Sequence, residues 1–258
     1  MDRDKTGELL RTKGWVAVDT VLDAEFVGRL RQELDRAYSA CRQVQEANGI
    51  TVNTDGTAHH ILIFRGAFLE LLQKLPVFGS IREYFGGNFI INSYGGVINM
   101  KAKPSYVCKA HRDIRSFSGD DPAMLNMILP LDDFTLENGA TYLLTGSHRQ
   151  PEKPEDEAFF AQADRLVATA GSVALWNSNL WHAAGQNQTD APRRALTLTF
   201  TRPFVKPQLD YPRALGYKFG EELPEQLRQI IGYNARVPAS LDEWYQPPEK
   251  RMYRPGQG

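Results

Sequence analysis

The triplet His111-Arg112-Asp113 sets an imidazole and a carboxylate on alternate positions of the chain. On an extended strand, side chains alternate between faces, so positions 111 and 113 point the same way. Far downstream, Trp181-His182 offers a second imidazole. Two histidines and one carboxylate make the facial triad that holds non-haem Fe(II) and leaves coordination positions for oxygen chemistry. A His-x-Asp triplet alone recurs by chance, and a lone histidine is more often structural than a ligand. The expectation therefore rests on His111, Asp113 and His182 meeting in space.

Arg193 opens the strand that follows His182. A guanidinium grips a carboxylate through two parallel hydrogen bonds and fixes its orientation. An α-keto acid chelating Fe(II) through its keto group and nearer carboxylate would project its far carboxylate towards such a residue. Thr197 shares the strand face of Arg193 and could add a hydroxyl to the same carboxylate. Arg194, on the opposite face, reads as solvated.

These residues need a rigid frame, and the hydrophobic pattern supplies one. Gly14 to Val18 is a short β-prone run. Asp23 then caps a helix in which Phe26, Val27, Leu30, Leu34, Ala37, Tyr38 and Cys41 recur at three- and four-residue steps. Residues 46–60 are polar and loop-like. Two short helices, Phe68 to Lys74 and Val77 to Tyr84, are separated by Pro76 and stopped by Gly86-Gly87. From residue 88 the period changes. Strands are expected at Asn88–Asn92, Gly96–Met100, Ala123–Leu131, Thr141–Leu144, Arg165–Val167, Ser172–Trp176 and Ala195–Thr201, with Gly, Asn, Asp and Pro turns between them. The fold class that follows is mainly β with flanking helices (α+β), built on a sandwich or jelly-roll barrel. One domain is expected over 1–258: a helical third (1–87), a β core (88–205) and a C-terminal extension (206–258) holding a helix over Glu221–Ile231.

Composition narrows the function. The 258 residues carry a formal net charge of −1, which argues against nucleic acid or an anionic membrane surface as partner. No stretch reaches the length of a membrane span, and no apolar signal core follows the charged start. Two cysteines, Cys41 and Cys108, fit a reducing compartment, so the expected location is cytoplasmic. Asn187-Gln188-Thr189 matches a glycosylation acceptor by chance. Cys41 reads as a packed thiol.

Several groups have structural readings beside functional ones. The Asp120-Asp121 and Asp132-Asp133 pairs adjoin turn signals and read as capping carboxylates. His148 reads as holding its own turn. His59-His60 lack a carboxylate neighbour; His60 is a candidate for the mouth of a substrate pocket. Arg115, two beyond Asp113, could meet an anionic part of a substrate or be exposed. Trp181 could line the pocket, with packing beneath the centre the favoured reading.

The chain resembles the phytanoyl-CoA dioxygenase family of Fe(II)- and 2-oxoglutarate-dependent oxygenases. The matching residues are Gly14-Trp15 with the helix after it, His111-Arg112-Asp113, Leu131-Asp132-Asp133, Glu137-Asn138-Gly139-Ala140, Thr145-Gly146-Ser147-His148-Arg149, Trp181-His182-Ala183-Ala184-Gly185-Gln186-Asn187 and Arg193-Arg194-Ala195-Leu196. They cover residues 8 to 205 in order. The resemblance implies a double-stranded β-helix (jelly-roll, cupin-like) core. It implies Fe(II) held by His111, Asp113 and His182, and 2-oxoglutarate held at its far end by Arg193. On the strand after the triplet, Asn126 becomes a candidate for the nearer carboxylate or keto group, with Asn99 and Thr141 of the same type; each could instead satisfy backbone groups. The implied reaction consumes O2, releases succinate and CO2, and hydroxylates a C–H bond of a small molecule. The alternatives are desaturation, cyclisation or epoxidation in a biosynthetic pathway, or a non-catalytic metal-binding jelly roll. Relatives that halogenate replace the carboxylate with a small residue, so Asp113 argues for oxidation. Arg112 departs from the glutamine usual there. Loops at 46–65, 103–122 and 203–218 would select the substrate, a free amino acid, another polar metabolite or a natural-product intermediate; oligomeric state is not encoded in any motif.

Overall fold

The computed structural model describes residues 3–19, 21–50, 54–101 and 106–257. It opens with a helix that the periodicity leaves unassigned, α1 (Arg3–Thr12), followed by β1 (Trp15–Val18). Asp23 then caps α2 (Ala24–Ala47) by accepting from the Phe26 amide at 2.8 Å. Phe26, Val27, Leu30, Leu34 and Ala37 form its buried face, as their spacing predicts. After the two-residue β2 (Thr57–Ala58) come α3 (Gly66–Lys74) and α4 (Phe78–Phe85), ended by Gly86 at φ 67°.

The remaining strands are β3 (Ile90–Asn99), β4 (Met124–Pro130), β5 (Thr141–Leu143), β6 (Asp164–Leu166), β7 (Val173–Asn177), β8 (His182–Ala183) and β9 (Arg193–Thr201), with a short helix, α5 (Asp156–Gln162), before β6. They build a six-stranded sheet in the order β1-β7-β4-β9-β3-β2 and a three-stranded sheet in the order β6-β5-β8. Every pairing is antiparallel. Two strands expected at 88–92 and 96–100 are one strand with an irregularity between Ile91 and Ser93. Gly95-Gly96 does not break it, because pairing with β9 continues through both glycines and Leu34 of α2 occupies the space a Cβ on Gly96 would need.

Alternation along the strands sorts their residues between two layers. On β4, Leu125, Met127 and Leu129 join the core beneath α2, α3 and α4, while Ile128 faces the other way into the core between the sheets, with Phe134, Leu143, Leu166 and Trp176. Arg194 is not solvated as its strand position suggested. Helix α2 covers that face, and the guanidinium bonds Asp35 at 2.8 and 3.1 Å while its backbone amide bonds Asp132 at 2.8 Å. His148 does not serve its own turn either: its Nε2 donates to the Arg11 carbonyl at 3.0 Å, tying the end of α1 to the β5 exit.

The expected helix at Glu221–Ile231 is α8 (Glu225–Ile231), preceded by the short α6 (Tyr211–Leu215) and α7 (Tyr217–Glu221). Pro224 lacks the amide that would join α7 to α8. The tail is integral to the main core, to which it contributes Tyr211, Leu227, Ile230 and Tyr233. Among the described residues, no helix is long and apolar enough to cross a membrane.

The Asn138-Gly139 turn illustrates how loops hold the frame. Asn138 accepts from the Thr135 amide at 2.8 Å and donates to the Asp133 carbonyl at 2.7 Å. Gly139 has φ 83°, and a Cβ there would collide with the backbone of Gly185, just past β8. Gly139→Ala is expected to lower stability by about 2 kcal/mol or more, from left-handed strain plus a clash with backbone that cannot rotate away. Chemical denaturation checks this; an unchanged midpoint would refute the contact.

Candidate metal centre

His111 and His182 are brought together by backbone pairing. They form an isolated antiparallel bridge, with the His111 amide 3.0 Å from the His182 carbonyl and the reverse bond at 2.9 Å. Residues directly opposite in such a pair present neighbouring side chains, and the two rings lie 4.3 Å apart between centroids. The extended strand expected for the triplet is only this one bridge long. Beyond it the chain bends, and Arg112 pins the bend by donating to the carbonyls of Gln150 at 3.0 Å and Pro151 at 2.7 Å and by stacking over Trp181 at 4.2 Å.

The bend delivers Asp113 to both imidazoles. Its Oδ1 lies 3.8 Å from His111 Nε2 and its Oδ2 3.5 Å from His182 Nε2. The three donor atoms all lie within 4.8 Å of one another. The ring orientations are fixed from behind. His111 Nδ1 lies 2.7 Å from the Lys109 carbonyl and His182 Nδ1 3.0 Å from the Leu180 carbonyl. A carbonyl only accepts, so both Nδ1 atoms carry the proton and both Nε2 lone pairs point into the centre, the arrangement that metal-binding histidines require. Burial, and then the neighbouring His111, push the His182 imidazolium down to about 4, which leaves the ring neutral at ordinary pH. Asp113 is held in turn: Asn126 Nδ2 donates to its Oδ2 at 2.5 Å, and Thr199 Oγ1 donates to Asn126 Oδ1 at 3.1 Å.

The triad faces a cavity of about 480 Å³ between the sheets. Arg193, Thr197, Thr141, Asn126 and Arg115 all line it. Arg193 is 2% exposed, its guanidinium lies 4.1 Å over the Phe134 ring, and among the described residues its Nε and Nη1 have no hydrogen-bond partner. Burial lowers its pKa to about 10, so it is still a cation at neutral pH. A buried cation with unmet donors is costly unless an anion joins it. The donor set therefore fits a ligand carboxylate.

Three candidates from the sequence do not line the cavity. Asn99 sits opposite Arg193 in the ladder but spends its amide on the Gly185 carbonyl at 2.8 Å, tying β3 to the segment just past β8. Trp181 packs with Ala110, Leu144 and Phe159 under Arg112. His60 adopts φ 57° and turns to Tyr211 Oη at 2.9 Å, so His59 faces the cavity in its place. Thr199, Trp176 and Gln208 are lining residues that sequence reasoning missed. Thr199 was findable, because it continues the alternation of Arg193 and Thr197. Trp176 was not: it joins the row only through its register with Asn126 across β4 and β7. The three loops expected to select substrate each contribute described lining residues, among them His59, Tyr106 and Gln208. The parts of those loops at 51–53 and 103–105 lie outside the described residues.

Known proteins resemble this chain over most of its length. An uncharacterized protein of Mycobacterium tuberculosis (Rv1501) is 32% identical over 99% of this chain and 96% of its own length. The dioxygenase cdmA of Talaromyces verruculosus is 26% identical over 89% of this chain and 83% of its own. Among solved structures, the epimerase SnoN, in complex with Fe3+, alpha ketoglutarate and nogalamycin RO, superposes with a TM-score of 0.61 at 18% identity, over 77% of this chain and 83% of that one. That likeness shows a shared fold. The family profile described as phytanoyl-CoA dioxygenase matches residues 10–195, which include the His-Asp-His cluster and Arg193 at the start of β9. The chain belongs to the phytanoyl-CoA dioxygenase family, whose chemistry depends on iron and 2-oxoglutarate.

Proposed function

We propose that this protein hydroxylates an unactivated C–H bond of a small organic molecule, with His111, Asp113 and His182 as the iron ligands and Arg193 as the clamp on the far carboxylate of 2-oxoglutarate. The observation that carries the reading is the buried guanidinium of Arg193, its Nε and Nη1 unpartnered among the described residues, in the same cavity as the His-Asp-His cluster. Bound iron with 2-oxoglutarate supplies oxidation of a C–H bond, with O2 consumed and succinate and CO2 released.

The chain's own residues position and shield. The Lys109 and Leu180 carbonyls hold the imidazoles in one tautomer. Asn126 acts on the carboxylate ligand; its amide is committed to Asp113 rather than offered to the cosubstrate. Thr197 and Thr141 add hydroxyls to the cosubstrate pocket, and Ile128 and Trp176 give it dry walls. No side-chain nucleophile or base is needed. A cytoplasmic setting fits Cys41 and Cys108, which are both thiols.

The test is anaerobic assembly followed by turnover. Purified protein with Fe(II) and 2-oxoglutarate should form succinate slowly without added substrate, and only with Fe(II) and O2. No succinate under those conditions would favour a non-catalytic metal-binding jelly roll. A second expectation concerns Asn126→Leu, which keeps the side-chain volume but frees Asp113 to rotate. Metal affinity should fall by roughly 10-fold or more, as for other groups that orient a ligand. Titration with Fe(II) or Co(II) checks it, and an unchanged affinity would remove Asn126 from this role.

A further inference from the structure

We propose that the molecule oxidised here carries a carboxylate, and that Arg115 binds it beside the triad; this rests on the iron and 2-oxoglutarate reading above. The argument begins with charge. With iron and 2-oxoglutarate in place, the two charges of the metal and that of Arg193 are balanced by Asp113 and the dianionic cosubstrate. Two further cations line the same cavity, Arg112 and Arg115, and among its described lining residues Asp113 is the only carboxylate. The substrate side of the cavity is therefore left net positive. A concave, partly desolvated wall focuses such a field and favours an anion over a neutral molecule of the same shape.

The two arginines differ in what they can do. Arg112 is fixed: both of its hydrogen bonds go to neutral carbonyls, and its plane lies on Trp181. Its charge is felt in the cavity, but its Nη2 is committed to the two carbonyls and its plane to Trp181. Arg115 is exposed, and among the described residues it has no hydrogen bond or ion pair. It sits two residues past Asp113 on the same pinned bend, so it stands close to the reacting centre with a planar donor fork available for a carboxylate. Positive charge is thus offered from this bend. The same cavity also offers dipoles: His59, whose pKa is lowered by desolvation, and Gln208. A molecule anchored at one end through its carboxylate would lay its C–H bonds towards the centre. The Arg193 site does not compete for this role, since its buried donors already require the cosubstrate.

The test uses matched pairs: hexanoate, phenylacetate and N-acetylleucine, each beside its methyl ester, added anaerobically to the Fe(II)–2-oxoglutarate complex. Binding is read as a shift of the visible charge-transfer band. At least one acid should shift the band where its ester does not, and Arg115→Gln should raise that acid's apparent Kd by about 10-fold or more. Arg115→Lys should recover part of the loss. Esters that bind as well as their acids, an Arg115→Gln protein with unchanged affinity, or no response to any acid would each overturn the proposal. The band before any acid is added reports the centre itself. Its absence in the wild-type protein would overturn the iron and 2-oxoglutarate reading, a result distinct from failure of the anion subsite.

Discussion

Asp113→Ala should abolish iron-dependent succinate formation and weaken Fe(II) binding by more than about 100-fold, while leaving the protein folded. The loss exceeds that expected for a group that merely orients a ligand, because the only anionic donor goes and two neutral imidazoles remain. The fold should survive for a separate reason. Asp113 sits in a bend with its side chain 38% exposed, outside every core cluster, and among the described residues its one side-chain hydrogen bond is to Asn126. The bend itself is held by Arg112 and the His111–His182 bridge, neither of which involves the carboxylate. Metal titration and thermal unfolding of the same preparation separate the two effects. Retained Fe(II) affinity would refute Asp113 as a ligand.

Arg193→Met should act with opposite signs on stability and on binding. In the absence of cosubstrate, the native guanidinium is buried with Nε and Nη1 unmet, and a methionine of similar length would bury only apolar surface against Phe134. Replacing an uncompensated buried charge in this way is worth about 1–4 kcal/mol, or roughly 2–4 °C in melting temperature per kcal/mol for a chain of this size class. The variant should therefore melt higher than wild type when both lack 2-oxoglutarate. Binding should move the other way: losing two charge-assisted hydrogen bonds weakens 2-oxoglutarate by about 100-fold or more. Thermal shift with and without 2-oxoglutarate reads both. An unchanged apparent affinity for 2-oxoglutarate would count against the clamp, and a lower melting point without it would show that the arginine has a structural partner.

The parts of the fold that were legible are those set by local rules. Helix α2 was readable because its cap and its apolar stripe lie within one segment, and the strands were readable because alternation is local. What escaped were features decided by neighbours. Gly95-Gly96 looks like a break in sequence but is a point of close approach beneath α2. Arg194 looks solvated until Asp35 arrives from a helix more than a hundred residues earlier in the chain. His60 and His59 exchange roles because one backbone angle is left-handed, and no periodicity reports that.

The sequence by itself determined the chemistry: which residues could hold a metal, which cation could hold a carboxylate, and that a β core would carry them. Those properties belong to residue types and to spacing along single strands. Only the tertiary structure decided how the groups serve one another. The triplet is not on a continuing strand; it is a single bridge and a pinned bend that brings Asp113 to both histidines. Asn126 bonds the Asp113 carboxylate, and Asn99 ties β3 to the Gly185 carbonyl just past β8, although both are asparagines on strands that border the cavity. Identical side chains diverge because hydrogen-bond partners are chosen by distance in space, and distance in space is set by register between strands that the linear order does not encode.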